Sequence, residues 1–464
     1  MKSDDARGVV PEGEYGITVV EQPVGRAGDD EACSLESDAM LHIEKKASWV
    51  TVGFLQLSDV VGVGILAIGS GIALVGYVPA AFLFCFMLAI NIYAGVLMQE
   101  VYLLCGPGAY DLPNMARLAV GRRWFTWLVT ALYYSLLFSL IAQTLGVLGS
   151  TIKALLPNSP MCNWSFTLLA ACLVIPLAQV RTLADSRAMQ IVNTATITLC
   201  VMVSVSYMWA RMADGTVPEA QGAERKGAYA FNDEASVDGV IAALLRFSFS
   251  FSGNVIFPQM LHEMSKPQKF YKSFYISSPY QLVMYSIAGF TQFAYEGQLA
   301  MNDSALIFQA IPTTDPLYGG CALLLAIHVA LGYVTKATVA ARALHGVVSP
   351  RTLNERSLTG QAWWLLCTLL VAFGSFLLSS AIPSFNALLG LLSAFQNAPL
   401  AFVVPAVLLV GARLKHARAS ARGRSLVMPS LLLSFGILLT ALGIQQSTKG
   451  AKESFMSGQP PFYC

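Results

Sequence analysis

The stretch Asp59-Val-Val-Gly-Val-Gly-Ile-Leu66 lies inside an apolar run, Trp49 to Val75, that is long enough to cross a bilayer. A carboxylate within a membrane segment is costly, and each glycine weakens a helix by about 1 kcal/mol relative to alanine. Closely spaced glycines also let two helices pack tightly, so packing alone is one explanation of the pattern. The other explanation is a functional break in the helix, and the rest of the chain has to decide between them.

The composition indicates an integral membrane protein. Of the 464 residues, 55% are hydrophobic and 12% are charged, whereas an ordinary soluble domain is about 25% charged. The net charge is +2, and no basic tract is interleaved with aromatic residues, so we expect no nucleic-acid partner. The chain has no HExxH, GxSxG or P-loop pattern and no cysteine cluster with metal-binding spacing. We therefore expect neither an enzyme nor an ATP-driven pump, and no metal or cofactor site.

Eleven apolar segments are predicted to cross the membrane, at about 20 residues per crossing. Their bounds are 49–76, 78–104, 124–151, 165–180, 189–211, 240–261, 274–296, 317–342, 363–380, 385–410 and 426–444. Before them, residues 1–46 are acidic and lack apolar periodicity, which is typical of a disordered tail. We therefore predict a membrane domain over 47–445, with the tail at 1–46 in the cytoplasm and a short extracytoplasmic tail at 446–464.

Basic residues predict the orientation. With a cytoplasmic amino terminus, the inner segments hold eighteen lysines and arginines and the outer segments hold six, which fits the positive-inside rule. Two glycosylation acceptors, Asn163 and Asn302, then fall in loops that face outward. Cys162 lies beside the first of them and is a candidate for an external disulfide with Cys321 or Cys464, between which the sequence does not choose.

The sixth segment contains a second irregular stretch, Phe247-Ser-Phe-Ser-Phe-Ser-Gly-Asn254, followed by Pro258. Its alternation is typical of a strand, but an open strand in lipid leaves its backbone groups unsatisfied. We therefore predict a helix that is interrupted near Ser252-Gly253. Because segments one and six are both broken, five spans apart, the pattern predicts an inverted repeat of five and five spans with the eleventh appended.

Interrupted helices expose backbone amides at one end and carbonyls at the other. Amides attract a carboxylate, and carbonyls attract an ammonium group or a cation. A zwitterionic amino acid satisfies both. The glycines of the first segment are then explained by an unwound backbone that a small ligand approaches closely, which favours a functional break over packing alone.

The motifs at both breaks resemble those of a known family. Gly62-Val-Gly-Ile-Leu66 resembles the G-x-G-[IV]-L motif of the amino acid/auxin permease family, within the amino acid–polyamine–organocation group. Phe249–Asn254 resembles its F-x-[FY]-S-G-[HN] stretch, and Met264-Ser-Lys-Pro267 with Phe270 resembles the M-x-x-P-x-x-F that follows. A glycine and a proline-punctuated run in 390–405 are more loosely similar to its tenth span. The likeness covers about 47–445.

This resemblance implies the leucine-transporter fold: an all-α polytopic membrane protein of about eleven helices, with broken helices 1 and 6 in a five-plus-five inverted repeat. Two positions depart from the family pattern. Gly69-Ser-Gly71 stands where members often have a proline and an aromatic residue, so the family's usual substrate preferences do not transfer directly. Ser58 stands where sodium-coupled relatives often carry Asn, which disfavours sodium coupling.

The predicted substrate site combines both breaks with two other spans. Amides of the first break would bind the substrate carboxylate, and carbonyls or hydroxyls of the second would bind its amino group, with Phe249 or Phe251 as a lid. Plain packing, interfacial anchoring and interhelical hydrogen bonding are the competing roles. The candidates are Gly62, Val63, Gly64, Ile65, Phe249, Ser250, Phe251, Ser252, Tyr133, Tyr134, Ser393 and Asn397.

Two intramembrane charges, Asp59 and Lys336, are candidates for ion coupling, with Ser58 beside them. Their depths match if both lie in the cytoplasmic half of the membrane, and buried charges pair or mark an ion path. The resemblance implies a cation site between helices 1 and 8, which the Lys336 ammonium would occupy or adjoin. Alternatively, Lys336 snorkels to the interface and Asp59 faces a hydrated vestibule. For His328 we predict hydrogen-bonded packing rather than a proton relay.

These observations predict a secondary transporter of a neutral amino acid or related small zwitterion that works by alternating access. A proton gradient is the favoured driving force over sodium. An auxin-like organic acid is the nearest alternative substrate, and a nutrient sensor with little flux is the alternative of another class. The membrane is the plasma membrane or a vacuolar or endosomal membrane.

Overall fold

The computed structural model describes residues 47–179, 187–216, 227–301, 306–353, 355, 357–382, 385–415 and 425–457. The predicted acidic tail at 1–46, Asn302 and Cys464 lie outside these residues. Across the described chain the structure is helical, with an isolated bridge at Ala47 and no strand. The α-helices are α1 Trp49–Val60, α2 Ile68–Val75, α3 Tyr77–Cys105, α4 Leu112–Ala119, α5 Arg123–Leu155, α6 Asn163–Leu177, α7 Arg187–Ala213, α8 Val237–Phe251, α9 Phe257–Glu263, α10 Phe274–Glu296, α11 Pro316–Val348, α12 Leu358–Ala381, α13 Phe385–Leu392, α14 Val404–Lys415 and α15 Val427–Ser457.

The helices confirm an all-α polytopic membrane protein. Within the described residues, eight helical segments are long and apolar enough to cross a membrane. The first and fourth predicted spans coincide with shorter apolar helices, namely α1 with α2, and α6. The seventh predicted span is the 23-residue helix α10, whose polar side chains make it less apolar than the others. The last helix continues to Ser457, so a helix covers much of the segment predicted as a carboxyl-terminal tail.

The first span is broken where its glycines stand. Helix α1 begins at an N-cap, Ser48, whose hydroxyl accepts a hydrogen bond from the Thr51 amide at 3.2 Å. The helix ends at Val60, and Val61 and Gly62 leave the helical conformation, with ψ angles of 61° and −121°. A short 3₁₀ helix, Val63–Ala67, then leads into α2. The predicted unwinding is therefore confirmed at Gly62.

The sixth span is broken at the predicted position. Helix α8 ends at Phe251, Ser252 is extended with φ −87° and ψ 132°, and a 3₁₀ turn at Asn254–Ile256 precedes α9. Pro258 falls in the first turn of α9, where its missing N–H leaves no bond unmade. Because five crossings separate the two broken spans, they run in opposite directions. Their halves α2 and α8 pack against each other.

The remaining spans enclose the two breaks. Helix α11 packs against α5 and α7, and α10 packs against α1, α2 and α7. The tenth span changes from α-helix to π-helix at Ser393–Asn397 and again at Pro399–Val403. Such wider turns are rare and occur frequently at functional sites. All these spans contribute to one hydrophobic core.

The membrane face at which α1 begins, here called the N-side, is closed by backbone pairing. The Ala47 amide donates to the Glu263 carbonyl at 3.0 Å, and the Ser265 amide donates to the Ala47 carbonyl at 3.0 Å. The chain just before α1 is thus attached to the end of α9.

One disulfide prediction needs correction. Cys162 is disulfide-bonded, but Cys321 carries a free thiol. Cys321 lies buried in α11 against Cys200 of α7, whose thiol donates to the Cys321 carbonyl at 3.5 Å. The pairing of Cys162 with Cys321 is therefore wrong, because packing between two spans holds Cys321 inside the bundle. The alternative with Cys464 falls outside the described residues.

Candidate functional site

A cavity of about 60 Å³ lies where the two broken helices meet. Both breaks contribute to its wall, as do α5, α11 and the π-helical part of the tenth span. The lining residues are Gly64, Leu136, Leu137, Leu140, Gln143, Thr144, Phe249, Ser252, Gly253, Val255, Ile256, Lys336 and Asn397. The sequence predicted five of these: Gly64, Phe249, Ser252, Lys336 and Asn397.

Gly64 serves both the cavity and the packing of the two breaks. A Cβ at this position would lie 3.0 Å from Ser250 Cα and 3.2 Å from the Tyr285 hydroxyl. A side chain at this position therefore requires these neighbours to shift by a few tenths of an ångström. Of its neighbours, Gly62 starts the 3₁₀ turn, and the Ile65 amide already donates to the Gly62 carbonyl at 3.2 Å. The Val63 side chain lies outside the described part of the chain.

Ser250 links the two broken helices. Its hydroxyl donates to the Gly64 carbonyl and to the Arg246 carbonyl, both at 2.8 Å. Its own carbonyl accepts from the Tyr285 hydroxyl at 2.8 Å and from Gln281 Nε2 at 3.2 Å. Protein groups therefore engage both polar groups of Ser250. The geometry gives this residue a positioning role, whereas the sequence suggested a contact with the substrate amino group.

Ser252 and Asn397 form the polar corner of the cavity. The Ser252 hydroxyl donates to Asn397 Oδ1 at 2.6 Å, and Asn397 Nδ2 donates to the Ser248 hydroxyl at 3.3 Å. This network joins the second break to the π-helical turn of the tenth span, as the sequence predicted when it paired these regions. Ser393, in the same turn, is fully buried and does not line the cavity.

The two candidate lid residues differ in position. Phe249 lines the cavity and packs in a small apolar cluster with Ala67, Leu389, Leu140 and Phe385. Phe251 instead packs into the core against other aromatic rings. Of the two candidates, Phe249 is therefore the ring that borders the cavity.

A larger cavity of about 450 Å³, here called the vestibule, lies on the far side from the N-side. It is lined by Leu66 after the first break, by the carboxyl-terminal half of α5, and by the start of α13. Its outer end reaches exposed residues such as Lys153 and Pro157. Phe385 lines the vestibule and belongs to the Phe249 cluster, so this cluster separates the vestibule from the central cavity.

Tyr133 lies on the N-side of the central cavity. Its hydroxyl is buried and accepts a hydrogen bond from Gln259 Nε2 of α9 at 2.6 Å. Tyr134 packs against it with ring centroids 4.9 Å apart. Neither tyrosine lines the cavity. The Gln259–Tyr133 bond instead joins α9 to α5 on the N-side of the cavity.

The candidate coupling residues occupy the same region as the first break. Lys336 of α11 is half-buried and lines the central cavity. Asp59 lies in the last turn of α1, and its side chain falls outside the described residues. The Ser58 carbonyl accepts from Asn193 Nδ2 of α7 at 3.1 Å. Lys336 borders the central cavity, whereas a lysine that only snorkels to the interface would not have to.

His328 makes the packing contact that the sequence suggested. The ring is 2% exposed, and its Nδ1 lies 3.0 Å from the Asn193 carbonyl. Asn193 also bonds to Ser58, so α11, α7 and α1 are joined through one residue. His328 does not line the central cavity.

Asn163 is the first residue of α6, and its Oδ1 accepts a hydrogen bond from Lys153 in the wall of the vestibule. A glycan there would stand at the mouth of the vestibule, which disfavours modification. Glycosylation at Asn163 stays a prediction.

Sequence reasoning missed the wall formed by α5. Leu136, Leu140, Gln143 and Thr144 recur at helical spacing and face the cavity. The signal was present: Gln143 and Thr144 are adjacent polar residues in the middle of an otherwise apolar span. A polar side chain at membrane depth faces the bundle interior or a cavity.

The comparisons agree with this arrangement. The family model described as transmembrane amino acid transporter protein matches residues 45–448. The chain belongs to the transmembrane amino acid transporter family. It is therefore a multi-pass membrane transporter and not an enzyme.

Two further comparisons give a relative in sequence and a likeness in fold. GABA transporter 1 of Arabidopsis thaliana is 22% identical over 404 residues, which cover 82% of this chain and 87% of that protein. The solved structure of MHP1 covers 91% of this chain and 95% of the MHP1 chain. MHP1 is a nucleobase-cation-symport-1 family transporter, and that structure is a closed conformation with bromovinylhydantoin bound. The TM-score is 0.51 and the sequence identity 13%, so this likeness shows the fold alone.

Proposed function

We propose that this protein is a secondary active transporter that carries a neutral amino acid or a related small zwitterion by alternating access. The observation that carries the proposal is the cavity of about 60 Å³ bounded by both broken helices. A cavity of this size between two interrupted helices suits a small solute with two opposite charges.

The polarity of the helix ends supports a zwitterion. The 3₁₀ helix at Val63–Ala67 begins at the first break, and α8 ends at the second break with its carbonyl end near Ser252. Helix amino ends favour a carboxylate and carboxyl ends favour an ammonium group. The relative named GABA transporter 1 fits this proposal, because GABA carries both groups.

The two sides of the cavity support alternating access. On one side the Phe249 cluster and Gln143 lie between the cavity and the vestibule of about 450 Å³. On the N-side, the Tyr133–Gln259 bond and the pairing of Ala47 with Glu263 and Ser265 close the path. Transport requires the N-side contacts to open while the vestibule closes.

Proton coupling through Asp59 and Lys336 is part of the proposal. Lys336 brings an ammonium group to the cavity wall, and Asp59 precedes the first break on the neighbouring helix. Protonation of a carboxylate there would change the charge beside the substrate. Sodium is not required, since the Lys336 ammonium supplies the positive charge.

The proposed orientation places the N-side in the cytoplasm, in the plasma membrane or a vacuolar or endosomal membrane. The excess of lysine and arginine on that side supports it. In cells that expose the protein at the surface, external protease should spare a tag at residue 1 and remove one at residue 464. Removal of the first tag alone would contradict this orientation.

The test is uptake of radiolabelled amino acids into proteoliposomes that contain the purified protein. We expect saturable accumulation that an inward proton gradient stimulates and that persists when choline replaces sodium. Saturable binding with negligible accumulation would instead identify a sensor. Preferential uptake of auxin-like acids over zwitterions would contradict the substrate assignment.

A further inference from the structure

Gln143 carries an unpaired amide inside the protein. The residue is 3% exposed, and neither Oε1 nor Nε2 has a hydrogen-bond partner among the described residues. Burying an unpaired amide is costly, so buried polar side chains nearly always find a partner. Both polar atoms of this side chain are therefore available to hydrogen-bond a group that enters from a cavity.

The position of Gln143 identifies where that group comes from. Gln143 is the residue that lines both the central cavity and the vestibule. One face of α5 runs from Leu136 and Leu140 in the central cavity, through Gln143, to Val147 and Ser150 in the vestibule. A solute that enters the cavity from the vestibule passes this amide.

The other side chains on this wall offer no free hydrogen-bond donor. Leu136, Leu137 and Leu140 are apolar, and the Thr144 hydroxyl already donates to the Leu140 carbonyl at 2.7 Å. The two breaks, on the opposite wall, supply the helix ends that suit the carboxylate and ammonium of an amino acid. Gln143 therefore faces the remaining part of the substrate, which is its side chain.

We propose that Gln143 hydrogen-bonds the side chain of the transported amino acid and selects a small substrate with a hydroxyl or carboxamide group. This inference rests on the proposed function. An amide both donates and accepts, so it pairs with either group. An aliphatic substrate of equal size leaves Oε1 and Nε2 unpaired, and a site built for a hydrogen bond discriminates against such an analogue.

The test uses substrate pairs of matched shape, threonine against valine and asparagine against leucine. Each is measured for thermal stabilisation of the purified protein and for uptake into proteoliposomes. The variant is Gln143→Leu, with Gln143→Met as a second variant that keeps an unbranched side chain. Thr151→Val is the control, because Thr151 lies two turns further along α5, is buried, and bonds within its own helix to Val147.

In the wild type we expect threonine to be preferred over valine about tenfold, and the preference to fall to near one in both Gln143 variants. The Thr151→Val control should keep the wild-type ratio. A wild type that treats both pairs alike, or variants that weaken polar and apolar substrates equally, would overturn the inference and show that water satisfies the amide.

The two measurements keep this inference separate from the proposed function. Selective binding that depends on Gln143, without accumulation, supports the role of Gln143 and rejects transport. Accumulation without selectivity supports transport and rejects the role of Gln143. If the wild type binds none of the four amino acids, the role of Gln143 is overturned, and the proposed function is decided by the uptake of the other amino acids and zwitterions.

Discussion

The two broken helices are interrupted at similar glycine motifs, but different contacts hold the two breaks in place. Contacts to neighbouring spans hold the second break: Tyr285 and Gln281 of α10 donate to the Ser250 carbonyl, and the break's own Asn254 Nδ2 donates to the Ala401 carbonyl of the tenth span at 3.0 Å. At the first break, the Gly64 carbonyl accepts from Ser250. The second break is thus fixed to the bundle on two sides, and the first docks on it.

The charges differ as well. The first break follows Asp59 directly, whereas Phe249–Asn254 of the second contains no ionisable side chain. Under the proposed function, the second break shapes the cavity and the first break carries the group proposed for ion coupling. Four substitutions, each with a matched control, test these roles.

The largest effect is expected at Gly64, where the first break docks. In Gly64→Val, the added Cβ would lie 3.0 Å from Ser250 Cα and 3.2 Å from the Tyr285 hydroxyl, and overpacking of this kind costs about 1–3 kcal/mol. We expect uptake to fall about tenfold or more while surface expression stays near wild type.

The control for this substitution is Gly332→Ala in α11, where an added Cβ has open space. It should transport as the wild type does. If Gly64→Val also transports at the wild-type rate, the close contact between the two breaks is not needed for function.

The second effect concerns the charge at the first break. Lys336→Met and Asp59→Asn should each abolish the stimulation of uptake by a pH gradient, because each removes one member of the proposed pair. Uptake should be unaffected by replacing sodium with choline. The measurement is initial uptake at equal internal pH and varied external pH.

Lys449→Met is the matched control, since Lys449 pairs with Asp238 at an exposed position where an ion pair contributes little. Its pH response should equal that of the wild type. Strong sodium dependence in the wild type, or an unchanged pH response in both charge variants, would reject proton coupling at this place.

The sequence predicted the spans and both breaks because these depend on local features. A run of about 20 apolar residues crosses a bilayer, and the glycines at 62 and 64 and the Ser252-Gly253 pair lie where two such runs are interrupted. Small, polar and charged residues near the breaks could also be chosen as site candidates from the sequence. Of these, the cavity wall contains Gly64, Ser252, Lys336 and Asn397.

Side-chain direction was not predictable in the same way. A membrane helix is apolar on most of its surface, so periodicity does not reveal which face meets a cavity. Phe249 and Phe251 are two residues apart, yet one lines the cavity and the other packs in the core. Likewise, Ser250 bonds protein groups while Gln143 remains unpaired, and both outcomes depend on how neighbouring spans pack.

The smallest effect is expected where the second break is fixed. Tyr285→Phe removes the bond from the hydroxyl to the Ser250 carbonyl, which Gln281 still satisfies. The loss should be about 1 kcal/mol, or a fall of about 1 °C in Tm for a chain of this length. Because Ser250 also bonds Gly64, the substrate KM should rise about threefold.

The matched substitution is Tyr280→Phe, on the same helix, which removes a hydrogen bond to Thr198 of α7 away from the breaks. It should lower Tm by a similar amount and leave KM unchanged, because neither break is touched. The Tyr285 and Tyr280 variants are therefore distinguished by their KM values and not by their stability. Equal KM values in both variants would mean that the hydrogen bond from Tyr285 of α10 to the Ser250 carbonyl stabilises the bundle without shaping the site.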